Sequence, residues 1–217
     1  MDMKPGMVSG FILTAEVYYR QEKYQEALDL YKYANSLAER AYIYAYMAMT
    51  ENQLHNYEQA ADYVMEALQL EDFQDDAIDL FDSQNEELLD ELLPRIKVQV
   101  AKNPNSLEWK YYLLVIYDEK KQYEDAIQVA KAIKLLDSDP YFDGVISELY
   151  QDFGDFEMAL QYAQAAHQAD STDTDFQFDL IGVYEELNSW DDALQLTDKM
   201  VEQKPDMVGA HATRADI

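Results

Sequence analysis

The chain has 217 residues, 48% hydrophobic and 13% aromatic, with no cysteine. That composition supplies a buried core and weighs against disorder, while excluding a disulfide framework and thiolate chemistry. Forty-four acidic against 16 basic residues give a net charge of −28, which repels nucleic-acid phosphates and anionic membranes and favours basic protein segments as partners.

The opening stretch, MDMKPGMVSGFILTAEVYY, carries one lysine and an apolar run only at 11–13. It has the character of neither a signal peptide nor a membrane span, so a cytoplasmic location is expected. A first helix is predicted from Phe11, Ala15 and Tyr18, which share one face. After a polar turn at 21–23, Tyr24, Ala27, Leu28, Tyr31 and Ala34 recur at spacings of three and four and predict a second helix.

The second-helix motif YQEALDLY recurs as YEQAADYV from Tyr57, YEDAIQVA from Tyr123, FEMALQYA from Phe156 and WDDALQLT from Trp190. Its alanines are Ala27, Ala60, Ala126, Ala159 and Ala193, at spacings of 33, 66, 33 and 34. Since 66 is twice 33, one copy is hidden near residue 93. There the chain reads DELLPRIK at 90–97, with Asp90 at the aromatic position and Leu93 in place of alanine. A mid-helix proline costs about 3 kcal/mol but is tolerated in a first turn. Pro94 therefore predicts a second helix starting at Leu92 or Leu93 and ending near Lys102, after a first helix at 74–81. The last unit closes at KPD, 204–206, and the tail has the pattern of one more first helix through Val208, Ala212 and Ala215. The tail reads as part of a longer protein, or else as a cap.

This pattern resembles the tetratricopeptide repeat family, whose unit of about 34 residues is a pair of helices. The first-helix tyrosine of that family matches Tyr18, Tyr117, Tyr150 and Tyr184, with Glu51 in its place in the second copy. The small first-helix residue matches Ala15, Ala48 and Ser147, with Leu114 and Ile181 elsewhere, and the closing proline matches Pro205. The resemblance implies an all-α right-handed superhelix of about six helix pairs plus a terminal helix, forming one array over 1–217. Its repeats are expected at 8–40, 41–73, 74–106 (degenerate), 107–139, 140–173 and 174–206, with the terminal helix at 207–217.

The resemblance also implies a concave surface lined by first helices, which binds another protein or peptide. The exposed first-helix positions put Glu16, Tyr19 and Arg20 on that surface, then Tyr42, Met49 and Asn52, then Asp75, Asp82 and Asn85. Later units supply Tyr111, Asp118 and Glu119; Tyr141, Glu148 and Asp152; and Phe178, Glu185 and Glu186. Acidic and aromatic side chains suit a ligand carrying Lys or Arg, through ion pairing and cation–π contact. The Lys/Asn clamp with which one subfamily holds acidic tails has no counterpart: Ile12, Glu16, Met49, Ile78 and Asp82 stand at its positions.

A non-catalytic scaffold or adaptor is expected, with no cofactor and no metal. His55, His167 and His211 lie far apart in the repeat order, and no phosphate-cradling Gly loop or G-x-S-x-G elbow is present. The aspartate clusters at 137–144 and 170–175 lack calcium-loop spacing and read as helix caps between repeats. The alternative function is self-assembly through the apolar ends of the array into a homo-oligomer.

Overall fold

A computed structural model describes residues 5–70 and 85–216. The expected helix at 74–81, with Asp75 and Asp82, lies outside the described residues. Among those described, every element is an α-helix, and the fold is an all-α helical repeat. By contact density the chain divides into two compact units, 1–104 and 105–217.

The first unit holds α1 (Pro5–Arg20), α2 (Tyr24–Leu37), α3 (Ala41–Gln53), α4 (Tyr57–Ala67) and α5 (Glu86–Lys102). The second holds α6 (Leu107–Glu119), α7 (Tyr123–Lys134), α8 (Tyr141–Phe153), α9 (Phe156–Ala169), α10 (Thr174–Glu186), α11 (Trp190–Gln203) and α12 (Val208–Asp216). Within each unit, successive helices pack as hairpins: α1 on α2, α3 on α4, α6 on α7, α8 on α9, and α10 on α11.

The motif alanines are the points of closest approach. Ala27, Ala60, Ala126, Ala159 and Ala193 are all fully buried, as are Ala34, Ala67 and Ala166 two turns on. A longer side chain there has no room unless the helices separate, which costs about 1–3 kcal/mol in a packed core. The first-helix positions that depart from small residues, Leu114 and Ile181, are buried too.

Each of the five described hairpins turns in the same way. The residue two before the motif aromatic has a positive φ: Glu22 (60°), His55 (61°), Lys121 (55°), Gly154 (86°) and Asn188 (55°). The next amide reaches back five residues, as in Lys23 N to Tyr18 O at 3.0 Å and Asp155 N to Tyr150 O at 2.9 Å. The left-handed residue's own amide reaches back three, as in Gly154 N to Gln151 O at 2.9 Å. This is the Schellman closure, which satisfies the last carbonyls of the first helix while reversing the chain.

Helix α5 corrects the expected start at Leu92 or Leu93. It begins at Glu86, because the Asn85 side chain caps it by accepting from the Glu87 and Leu88 amides at 3.1 and 3.3 Å. Two acidic residues in its first turn complement the helix dipole, and Leu88, Leu89, Leu92 and Ile96 form its buried stripe. Pro94 therefore lies inside the helix, on its exposed side. Water can replace the missing ladder bond there, so burial of the leucine face outweighs the proline cost. Leu92 rather than Leu93 holds the fully buried position. The spacing from Ala60 is thus 32, and the spacing onward to Ala126 is 34.

The aspartate clusters act as caps. Asp139 accepts from the Tyr141 amide at 2.9 Å, and Asp173 from the Asp175 and Phe176 amides at 2.8 and 3.2 Å. Asp170 accepts from Thr172 and Asp173 in the turn before.

Candidate functional site

In the second unit, α6, α8 and α10 each open a hairpin, and their exposed residues border two adjoining clefts. The smaller, about 170 Å³, is lined by Tyr111, Leu114, Val115, Asp118, Tyr141, Val145, Glu148, Leu149 and Asp152. The larger, about 520 Å³, is lined by Asp139, Pro140, Tyr141, Gly144, Val145, Glu148, Asp170, Asp173, Asp175, Phe176 and Asp179. Tyr141, Val145 and Glu148 belong to both, so the clefts meet along one face of α8. No lysine or arginine lines either one.

Four carboxylates from three helices share this region. Burial raises the Glu148 carboxyl above its ordinary value, and the charges of Asp179, Asp118 and Asp152 raise it further. Asp118 is raised by burial and then by Asp152. Asp179 is raised by burial, partly offset by Ser147 and Gln151. One Asp179 oxygen accepts from Gln151 Nε2 at 2.7 Å, while the other is buried without a hydrogen-bond partner. The Tyr141 hydroxyl is pushed up to about 12 by burial, then by Tyr111 and Glu148. The groove thus holds negative charge against a partly desolvated wall, an arrangement that a cation relieves.

Of the residues expected from sequence, Tyr111, Asp118, Tyr141, Glu148 and Asp152 come together here. Phe178 is half-buried and packs towards α12, where its ring stands 3.2 Å from the place a Cβ on Gly209 would occupy. Glu185 is half-buried on α10 and lines neither cleft. In the first unit, Glu16 pairs with Arg20 at 4.0 Å and Tyr19 meets the Tyr24 ring edge-on at 5.3 Å. Tyr42 and Met49 are exposed, and Asn52 accepts from Asn85 Nδ2 at 2.7 Å. The described residues around Glu51, His55 and Tyr57 form a polar depression at a turn, lined by none of these positions.

Sequence reasoning missed Val145 and Asp179. A signal existed: Val145 stands 34 after Tyr111, and Asp179 stands 34 after Val145. It also missed the role of Glu51, which is buried and bound by Lys32 Nζ at 3.3 Å and Asn56 Nδ2 at 2.8 Å. The histidines are scattered. His55 Nδ1 contacts the Tyr57 hydroxyl at 2.7 Å, and His211 Nε2 contacts the Pro205 carbonyl at 2.8 Å. His167 has a buried Nδ1 without a partner, and burial followed by Lys199 lowers its pKa.

Comparison with known proteins bears on residues 150–217, which match the family model described as tetratricopeptide repeat. No curated protein matches the chain. Among the solved structures similar over 96% of it are the following three. A chain of the Naa15/Naa10 structure bound to HypK-THB has 16% identity and a TM-score of 0.54, with 33% of its length covered. A chain of the APC/C hetero-tetramer Cut9–Hcn1 has 11% identity and a TM-score of 0.52, with 42% covered. A tetratricopeptide repeat protein from Parabacteroides merdae ATCC 43184 has 9% identity and a TM-score of 0.51, with 71% covered.

Proposed function

We propose that this chain, whose residues 150–217 match the tetratricopeptide repeat model, is a non-catalytic interaction module holding a basic segment of another protein along α6, α8 and α10. Tetratricopeptide repeat proteins generally mediate protein–protein interactions. One observation carries the finer reading: carboxylates from three successive first helices border clefts with aromatic walls and no cation of their own. Affinity comes from covering the apolar walls, and the carboxylates set specificity and association rate. Among the described residues, no helix is long and apolar enough to cross a membrane. The net charge of −28 opposes nucleic acid and anionic lipid as ligands, and a cytoplasmic basic partner fits it.

The test is affinity capture from a cell lysate at moderate salt, with the native chain as bait beside a Tyr111→Ala, Glu148→Lys double variant. A basic protein held by the first and lost by the second is expected, with retention falling as salt rises. Equal retention of the same proteins by both baits would sink the groove as the working surface.

A second reading, self-association, draws on the exposed face of α1, where Met7, Leu13 and Val17 are 48%, 62% and 53% accessible. It requires the mass in solution to rise with protein concentration, which light scattering across a dilution series decides.

A further inference from the structure

The smaller cleft has a more definite occupant, and its assignment rests on the groove reading above. We propose that it anchors a single arginine side chain of the bound segment, its stem on Val145 beside Tyr111 and Tyr141, its guanidinium facing Glu148, Asp118 and Asp152.

Size comes first. Sites for small molecules and cofactors span about 300–1,000 Å³, and a cleft of about 170 Å³ takes one side chain instead. The lining then divides that side chain into two parts. Leu114, Val115, Val145 and Leu149 offer an apolar floor for methylene groups, while the carboxylates stand at the rim with solvent access. Long cationic side chains divide in this way, with a buried stem and a polar head. An acidic or apolar anchor would leave that rim unneutralised.

Arginine fits better than lysine for two reasons. The carboxylates belong to different helices, Asp118 on α6 and Glu148 with Asp152 on α8. A planar guanidinium presents its donors as a fork that can bridge such groups, whereas an ammonium is a compact and more strongly hydrated charge. Tyr111 and Tyr141 also line the cleft, and guanidinium stacks on tyrosine rings more readily than ammonium does. Asp179, bordering the larger cleft, keeps one buried oxygen without a partner and adds negative potential on the side from which the segment continues.

The experiment is a titration of the intact chain with N-acetyl-arginine amide, followed by the methyl resonances of Val115, Val145, Leu114 and Leu149. N-acetyl-lysine amide serves as the ammonium probe, and N-acetyl-citrulline amide as the uncharged probe of arginine's length. Saturable shifts confined to these methyls are expected for arginine, with lysine weaker by on the order of tenfold and citrulline without effect. In Glu148→Gln the arginine shifts should disappear while the melting temperature does not fall. Citrulline matching arginine, lysine matching arginine, shifts elsewhere, or no shifts at all would each overturn the anchor. The citrulline comparison needs no variant, so it stands even if Glu148→Gln fails to fold. A parallel array of basic peptides separates this from the broader reading. Lysine-only peptides that bind the native chain but not the Tyr111→Ala, Glu148→Lys variant, with no gain from arginine, would overturn the anchor and leave the groove. Arginine amide bound in the cleft with no peptide retained would leave the anchor and overturn the groove as a protein-binding site.

Discussion

Two lysines, 99 residues apart, occupy matching places in the two units and meet different partners. In the first unit, Lys32 on α2 lies 3.3 Å from the buried Glu51 carboxylate and 5.8 Å from the Tyr63 ring centroid. In the second, Lys131 on α7 donates to the Tyr150 hydroxyl at 2.7 Å, with the Tyr150 and Tyr162 ring centroids at 5.0 and 5.5 Å. Glu51 and Tyr150 stand 99 apart, as do Tyr63 and Tyr162. The first unit buries an acid and neutralises it internally. The second places a phenol at that position and pairs its own buried acid, Asp143, with Lys134, while Asp118, Glu148 and Asp152 border a cleft beside α8 that no lysine or arginine lines. Negative charge therefore has two uses here, and net charge alone does not separate them. What separates them is whether a lysine from the preceding helix reaches the carboxylate.

The sharpest way to break this comparison is Lys32→Met. It leaves Glu51 buried with only Asn56, and is expected to cost about 2–3 kcal/mol in chemical denaturation, less than a fully buried pair because Lys32 is 43% exposed. The matching Lys131→Met removes a hydrogen bond from the ammonium to an uncharged phenol and two ring contacts but strands no buried charge, and should cost about 1 kcal/mol. Equal losses would erase the distinction. Glu51→Tyr, which copies the second unit into the first, should make a following Lys32→Met no worse than Lys131→Met, a coupling that a double-mutant cycle measures.

The turns sharpen the comparison at smaller scale. Among the described residues, the first unit fills its left-handed positions with Glu22 and His55, whereas the second uses Gly154 at one of its three. Gly154→Ala should cost about 1 kcal/mol from backbone strain alone, since an added Cβ meets nothing within 4 Å. Glu22→Gly should gain about 0.5 kcal/mol in the same melting assay.

The smallest effect is one of pH. Carboxyls raised in the folded state bind more protons than their unfolded counterparts, so stability falls as pH rises from ordinary carboxylate values through the raised ones. Asp118, Glu148 and Asp179 act in this sense, whereas Asp170 and Glu108, lowered mainly by hydrogen bonds from Thr172 and Ser106, lose their contribution as pH falls below ordinary values. The melting temperature should therefore rise modestly from pH 7 to pH 5, and less in Glu148→Gln, within the roughly 2–4 °C that 1 kcal/mol represents at this chain length.

The hairpins were legible in the sequence because burial at a helix crossing selects by size, and alanine at a fixed spacing records that selection directly. Tyr111, Asp118, Tyr141 and Glu148 were legible by the same counting. The start of α5 was not, because Pro94 is a local cost that the Leu88, Leu89, Leu92 and Ile96 stripe and the Asn85 cap outweigh. Glu51 looked like a lapse in the pattern, since its lysine partner lies on another helix, 19 residues away. Phe178 has the same side-chain character as a groove aromatic, and only the approach of Gly209 from α12 distinguishes it.

The 32-residue step to Leu92 and the 34-residue step after it together restore the count of 66 between Ala60 and Ala126. A deletion and an insertion, in effect, cancel. Module boundaries for grafting should therefore fall at the alanines on either side rather than at Leu92. A splice from Ala60 to Ala126 keeps each downstream side chain in phase with the helix facing it. A splice at Leu92 displaces every later residue by one position, about 100° around an α-helix, and turns the alanine seam away from the partner it was shaped to meet.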